Sequence, residues 1–244
     1  MATALLTEPA NDSRRLFRPK RQTDRAVLIP ASAHTWEGFR AWAKSDEFPT
    51  HGHIAYLGGE ISIDMSPERL GKHNAAKSEL THVLYQLIRA NDLGRFLSDR
   101  MLLSNEAADI SNEPDAFFVS WASLAAGRVR LVPTADGDDI GEIVGTPDMV
   151  LEIVSPSSER KDYSVLMDRY FRAGIREYWL MDGNEEELAF HIYHASTTGY
   201  SPIPLENGWL ASAVFGRRFR MERSRARDDQ WQYTLHVASL DPAV

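Results

Sequence analysis

The chain has 244 residues, 43% hydrophobic and 25% charged, the balance of an ordinary globular protein with one ample core or two small ones. It has no cysteine. That excludes disulfides, thiolate nucleophiles and cysteine metal sites, and steers any metal toward oxygen and imidazole ligands, hence magnesium, manganese or calcium. A formal net charge of -8 counts against non-specific nucleic-acid binding, although basic residues gather between positions 14 and 25 and again between 217 and 227.

No apolar stretch reaches membrane-spanning length and the N-terminus shows no apolar signal core, so the reading is a cytoplasmic protein without a membrane partner. Residues 1–25 have little apolar periodicity and read as a flexible basic arm. Trp36, Phe39 and Trp42 recur at helical spacing. His51 and His53 can chelate a metal at alternate positions but read as loop residues beside Gly52. From Tyr56 to Met65 the chain predicts a hairpin turning at Gly58-Gly59. A helix over about 71–90 carries an apolar stripe of Ala76, Leu80, Val83, Leu84, Leu87 and Ile88, with His73 and Lys77 one turn apart on another face.

Residues 94–104 predict one strand. Asp115, after Pro114, opens a second short strand through Val119, and the Gly- and Asp-rich stretch 127–145 reads as a loop. The chain is organised around Pro147–Asp182. Met149–Val154 is an apolar run bounded by proline on both sides, which predicts a buried strand with a single carboxylate, Glu152, inside it. An ionised carboxylate so placed needs a cation, a metal or a proton. Ser157 or Ser158 can cap a following helix, with apolar positions at Tyr163, Leu166, Met167, Tyr170 and Phe171 and a stop at Gly174. Glu177–Asp182 then reads as a strand, giving a right-handed parallel crossover. Two short strands near 188–193 and 200–204 follow, and a closing hairpin from 209–219 and 231–237, joined by the arginine-rich segment. His191 and His194 read as strand and turn residues.

The order is helix, strand, Asp115 at the head of a strand, Glu152 within the next, helix, strand: αβββαβ. Two carboxylates on neighbouring strands can share one hard divalent cation, which lowers the pKa of a bound water and offsets charge on a phosphoryl group.

This layout resembles the PD-(D/E)XK nucleases. More closely, the chain resembles a bacterial family of restriction-endonuclease-like proteins, formerly a domain of unknown function. The resemblance rests on Gly59-Glu60-Ile61, Ser66-Pro67, His73, Pro114-Asp115, Pro147-Asp148, Leu151–Ser157, Tyr170 with Ala173-Gly174-Ile175, Glu177-Tyr178-Trp179, and Gly208-Trp209-Leu210 with Ser212. It implies an α/β restriction-endonuclease-like core with a mixed central sheet flanked by helices, an extra N-terminal hairpin and C-terminal strands. The nuclease-like domain would span 26–222 and a packed extension 223–244.

By that likeness Asp115, Glu152 and Glu60 are site residues and a Mg2+ or Mn2+ ion lies on Asp115 and Glu152, with Asp148 either a rival ligand or a strand anchor. DNA is the implied substrate, and a homodimer the implied assembly by analogy with enzymes that cut two strands. The motif's lysine position holds Val154. Relatives that place the lysine on the next helix, four residues before its tyrosine, would have it at Leu166. Lys161, Arg169 and Lys77 are the candidates to replace it. Lys161 is then catalytic, and His73, Lys77 and Arg169 face the substrate. The rival expectation is a silent nuclease fold that binds nucleic acid or a protein; a sugar- or nucleotide-binding enzyme is a third.

Overall fold

In the computed structural model, which describes residues 27–66, 73–134, 136–184 and 186–240, the predicted crossover is the centre of the molecule. Strand β9 (Met149–Val154) lies parallel to β10 (Glu177–Asp182), with Glu152 opposite Leu180. Both strands are buried along their full length, which their apolar runs dictate, interrupted in β9 by Glu152 alone. Between them runs helix α4 (Leu166–Arg172), led in by a π-helical turn over Lys161–Val165.

On its other edge β9 pairs antiparallel with β6 (Ala116–Ser120), and β6 with β3 (Gly94–Ser98). Beyond β10 lie β11 (Ala189–Ala195) and β12 (Tyr200–Pro202), completing a six-stranded mixed sheet in the order β12-β11-β10-β9-β6-β3. With helix α2 (Ala75–Ala90), the elements α2, β3, β6, β9, α4 and β10 are the predicted αβββαβ core.

Side chains alternate between the faces of this sheet. Leu151, Ile153, Trp179 and Met181 pack with Leu80 and Leu84 of α2 and with a three-stranded C-terminal sheet, β13 (Leu210–Ser212), β14 (Arg217–Arg225) and β15 (Trp231–Ser239). Val150, Val154, Tyr178 and Leu180 pack with Leu166 and Tyr170 of α4. The arginine-rich stretch is thus strand β14 itself, paired with β15 along its full length, rather than a connection between strands.

Two further departures form a second sheet. The predicted strand over 94–104 is broken at Asp99-Arg100, whose φ angles of 55° and 57° turn the chain out of β3 and into β4 (Leu102–Asn105) of another sheet. The predicted loop over 127–145 is the hairpin β7 (Val129–Pro133) and β8 (Ile140–Gly145). With the hairpin β1 (His53–Leu57) and β2 (Glu60–Asp64) and with β5 (Ile110–Asn112), they give the order β2-β1-β5-β4-β8-β7. Helix α1 (Trp36–Ala43) seals this sheet through Phe39 and Trp42, which pack on Ile54 and Tyr56. A short helix α3 (Trp121–Ala125) follows β6. The basic arm at 1–25 lies outside the described residues, and among those described no helix is long and apolar enough to cross a membrane.

Candidate active site

Asp115 precedes β6, and β6 pairs with β9 so that Ala116 faces Leu151. That register sets Asp115 beside Glu152. The Asp115 backbone N–H points at Glu152 Oε2 (3.5 Å), and the Ile153 N–H donates to Asp115 Oδ2 (2.8 Å). Two buried carboxylates thus meet at neighbouring strands, 9% and 3% exposed.

Two ammonium groups and an imidazole surround them. From the start of α2, Lys77 Nζ lies 3.2 Å from Asp115 Oδ1 and 3.0 Å from Asp99 Oδ1, and His73 Nε2 lies 3.6 Å from Asp115 Oδ2. From the π turn comes Lys161, whose ammonium pairs with Asp162 Oδ1 at 3.1 Å. The wide turn is what brings it there. The Leu166 N–H bonds to the carbonyl of Lys161, an i→i−5 link, so the face carrying Tyr170 and Leu166 continues back to Lys161. Leu166 itself is fully buried among Val154, Tyr170 and Tyr178, so the position where a lysine was sought is core.

Tyr170 fixes Glu152 from the helix side. Its hydroxyl donates to Glu152 Oε1 (2.5 Å) and accepts from Asn112 Nδ2 (2.8 Å). Beside the carboxylates opens a cleft of about 510 Å³ lined by His53, Ser62, Asp64, Asn112, Glu113 and Lys161 among others. Ser157 Oγ donates to Asp64 across it (2.7 Å). A roomier groove of about 910 Å³ lies along Glu186–His191, Ile203 and Leu210, on elements that carry none of these groups.

The two carboxylates titrate in opposite directions. For Asp115, burial opposes ionisation, but the His73 imidazole, the Lys77 ammonium and the Ile153 N–H outweigh it and hold the carboxyl well below the usual carboxylate range. For Glu152, burial dominates. The Lys161 charge counters it, Asp162 and Asp115 reinforce it, and the carboxyl is pushed up to about 8. Glu152 therefore holds a proton in the folded, metal-free protein over a range where the unfolded chain, near 4.5, has released it. At this group the native state binds more protons in that window, so the contribution of Glu152 to stability falls as pH rises from about 4.5 to 8. Thermal melts across pH 5–8 should show stability changing less favourably with rising pH in the wild type than in Glu152→Gln, and Mn2+ should offset that wild-type loss. Parallel profiles for the two proteins would refute the raised pKa.

Not every predicted residue reaches the site. Glu60 stands at the turn end of the β1–β2 hairpin, exposed, whereas the opposite end, His53 and Asp64, lines the cleft. Asp148 sits at the far end of β9. It accepts from the Ser120 N–H, Ser123 Oγ and Arg176, and so anchors its strand to α3 rather than joining Glu152. Arg169 points away too, donating to the Ala108 carbonyl (2.9 Å) beside the hairpin turn. Asp162 and Tyr170 were missed as site residues. The signal for Asp162 was a charged residue four before Leu166 and eight before Tyr170, on a face that must be buried.

Among the described residues no three His, Asp or Glu side chains converge as a ready metal cage. The donor set nevertheless fits a hard cation, since Mg2+ is commonly held by one or two carboxylates with waters and substrate phosphate completing its shell. Asp115 and Glu152 would be those two.

Carboxylates and lysine at the head of an αβββαβ core define the restriction-endonuclease-like class. The family model Uma2, described as "Putative restriction endonuclease", matches residues 36–222, and the chain belongs to that family. It is similar in fold to the crystal structure of a "putative nuclease belonging to DUF820" from Anabaena variabilis, with a TM-score of 0.56 at 19% identity over 74% of this chain and 90% of that one. No curated protein matches the chain.

Proposed function

We propose that the protein is a metal-dependent endonuclease that hydrolyses DNA phosphodiester bonds. The observation that carries this reading is the meeting of Asp115 and Glu152 at neighbouring strands with Lys161 alongside. A Mg2+ or Mn2+ ion on the two carboxylates would supply an acidified water and neutralise charge on the scissile phosphate. This chain's own residues do the rest. Tyr170 fixes the Glu152 carboxyl, the Ile153 N–H orients Asp115, and the Lys161 ammonium would offset the negative charge that builds during attack. Lys77 and His73 hold Asp115 ionised and ready to bind a cation.

The test is calorimetric titration with Mn2+ together with cleavage of supercoiled plasmid. Binding that Glu152→Gln and Asp115→Asn each weaken at least tenfold, with cleavage lost in both, is the expected result. Unchanged binding in both variants would refute the metal site. Metal and DNA binding without cleavage would replace this reading with the silent-nuclease one.

A further inference from the structure

The turn that carries the chain from β3 to β4 has two consecutive non-glycine residues in the left-handed region, Asp99 and Arg100. Among the described residues six non-glycines have positive φ. Five are Asp or Asn, whose short side chains tolerate that region, and the sixth is Arg100. A long side chain gains nothing locally from this conformation, so the surroundings impose it, and such residues cluster at functional sites.

The surroundings here are the active site. The Asp99 N–H donates to the Asp115 carbonyl (3.1 Å), and the Asp99 carboxylate takes the same Lys77 that pairs with Asp115. The turn is thereby keyed to the backbone and the cation at the head of β6. Arg100 itself is exposed, and among the described residues its guanidinium makes no hydrogen bond or ion pair. Its chain neighbour Asp99 is bonded both to the Asp115 carbonyl and to Lys77, so the guanidinium starts from the rim of the site.

Lys77 and Lys161 are both committed to carboxylates. A polyanion entering this cleft needs a cation that is not, and a guanidinium can grip a phosphate with two parallel N–H bonds. We propose that Arg100 is a phosphate-binding arm of the site, held out by its left-handed turn to engage a backbone phosphate of the nucleic acid beside the carboxylates. This rests on the nuclease reading, and concerns binding of the substrate rather than its hydrolysis.

The experiment measures fluorescence anisotropy of labelled single- and double-stranded oligonucleotides with the full chain, in Ca2+, over a series of salt concentrations, with plasmid cleavage in Mn2+ run in parallel. Arg100→Gln should weaken binding about tenfold at low salt and reduce the slope of log affinity against log salt by about one. Arg100→Lys should keep most of the slope. Arg100→Gly should bind as weakly as Arg100→Gln while melting no lower than wild type, because glycine adopts the turn without strain. Arg130→Gln, the same charge change on the exposed edge strand β7, should bind normally. Normal binding by Arg100→Gln, an equal loss in Arg130→Gln, or no binding by wild type at the lowest salt would each overturn the proposal. Arg100-dependent binding without cleavage would support it while refuting hydrolysis.

Discussion

Lys161→Met should lower Mn2+-dependent DNA cleavage by about 10²–10³-fold, the usual cost of losing one preorganised charge at a reacting centre. The variant should still fold. The Lys161 side chain is 30% exposed, and its partner Asp162 retains Ser158 Oγ as a donor. Adding Leu166→Lys to the same protein separates chemistry from position. Leu166 lies one α turn before Tyr170 and one π turn after Lys161, on one face. An ammonium there can reach toward Glu152 from the same wall, so the double variant should regain at least tenfold of the lost rate. Full activity in Lys161→Met alone would remove Lys161 from the site.

The largest effect on stability is expected at Glu177, the first residue of β10. Its buried carboxylate accepts from Trp179 Nε1 (3.0 Å), Ser212 Oγ (2.7 Å) and the Val214 N–H (3.0 Å). This ties the central sheet to β13 of the C-terminal sheet, and it explains two segments of the family resemblance at once: Glu177-Tyr178-Trp179 and the run ending in Ser212 meet in space. Glu177→Ala strands three donors, each costing about 1–3 kcal/mol when left unmade, with some recovered by relaxation. A net loss of about 3–5 kcal/mol, or roughly 10 °C in Tm for a chain this size, is the expected result. Glu177→Gln, which keeps an acceptor oxygen, should recover more than half. A melt of Glu177→Ala within about 2 °C of wild type would show that these bonds contribute nothing net.

The αβββαβ core was legible because burial on both faces writes apolar runs into β9 and β10, and because α2 has a full helical stripe. Glu152 was legible as the one charge inside such a run, and Asp115 as the acid after Pro114 that heads the neighbouring strand. The second sheet was less so. Its β7–β8 hairpin turns on Asp136 to Asp139, a polar stretch that resembles any loop, and the break at Asp99-Arg100 carries no glycine to announce it. Glu60, Asp148 and Arg169 were placed by motif proximity, which says nothing about which end of a hairpin, strand or helix faces the site. Leu166 was singled out by counting one α turn back from Tyr170, and the wide turn that carries the lysine begins just before it. A π turn adds a residue without changing local composition, so Lys161 could be named but not positioned from sequence.

The seating of α1 on the second sheet bears on the order in which the protein can assemble. Arg40 and Lys44 both pair with Glu142 of β8, a carboxylate with no exposed surface about a hundred residues later in the chain. β4 likewise waits for β8 as its parallel neighbour. Until residue 142 has been synthesised, the first helix presents two unanswered cations and β4 an open edge, so a nascent chain of 100–130 residues cannot close its first sheet. Loop closure over that span is slow to gain its reward. The N-terminal half should therefore stay open to chaperones and proteases on the ribosome and become resistant to digestion only when β8 emerges.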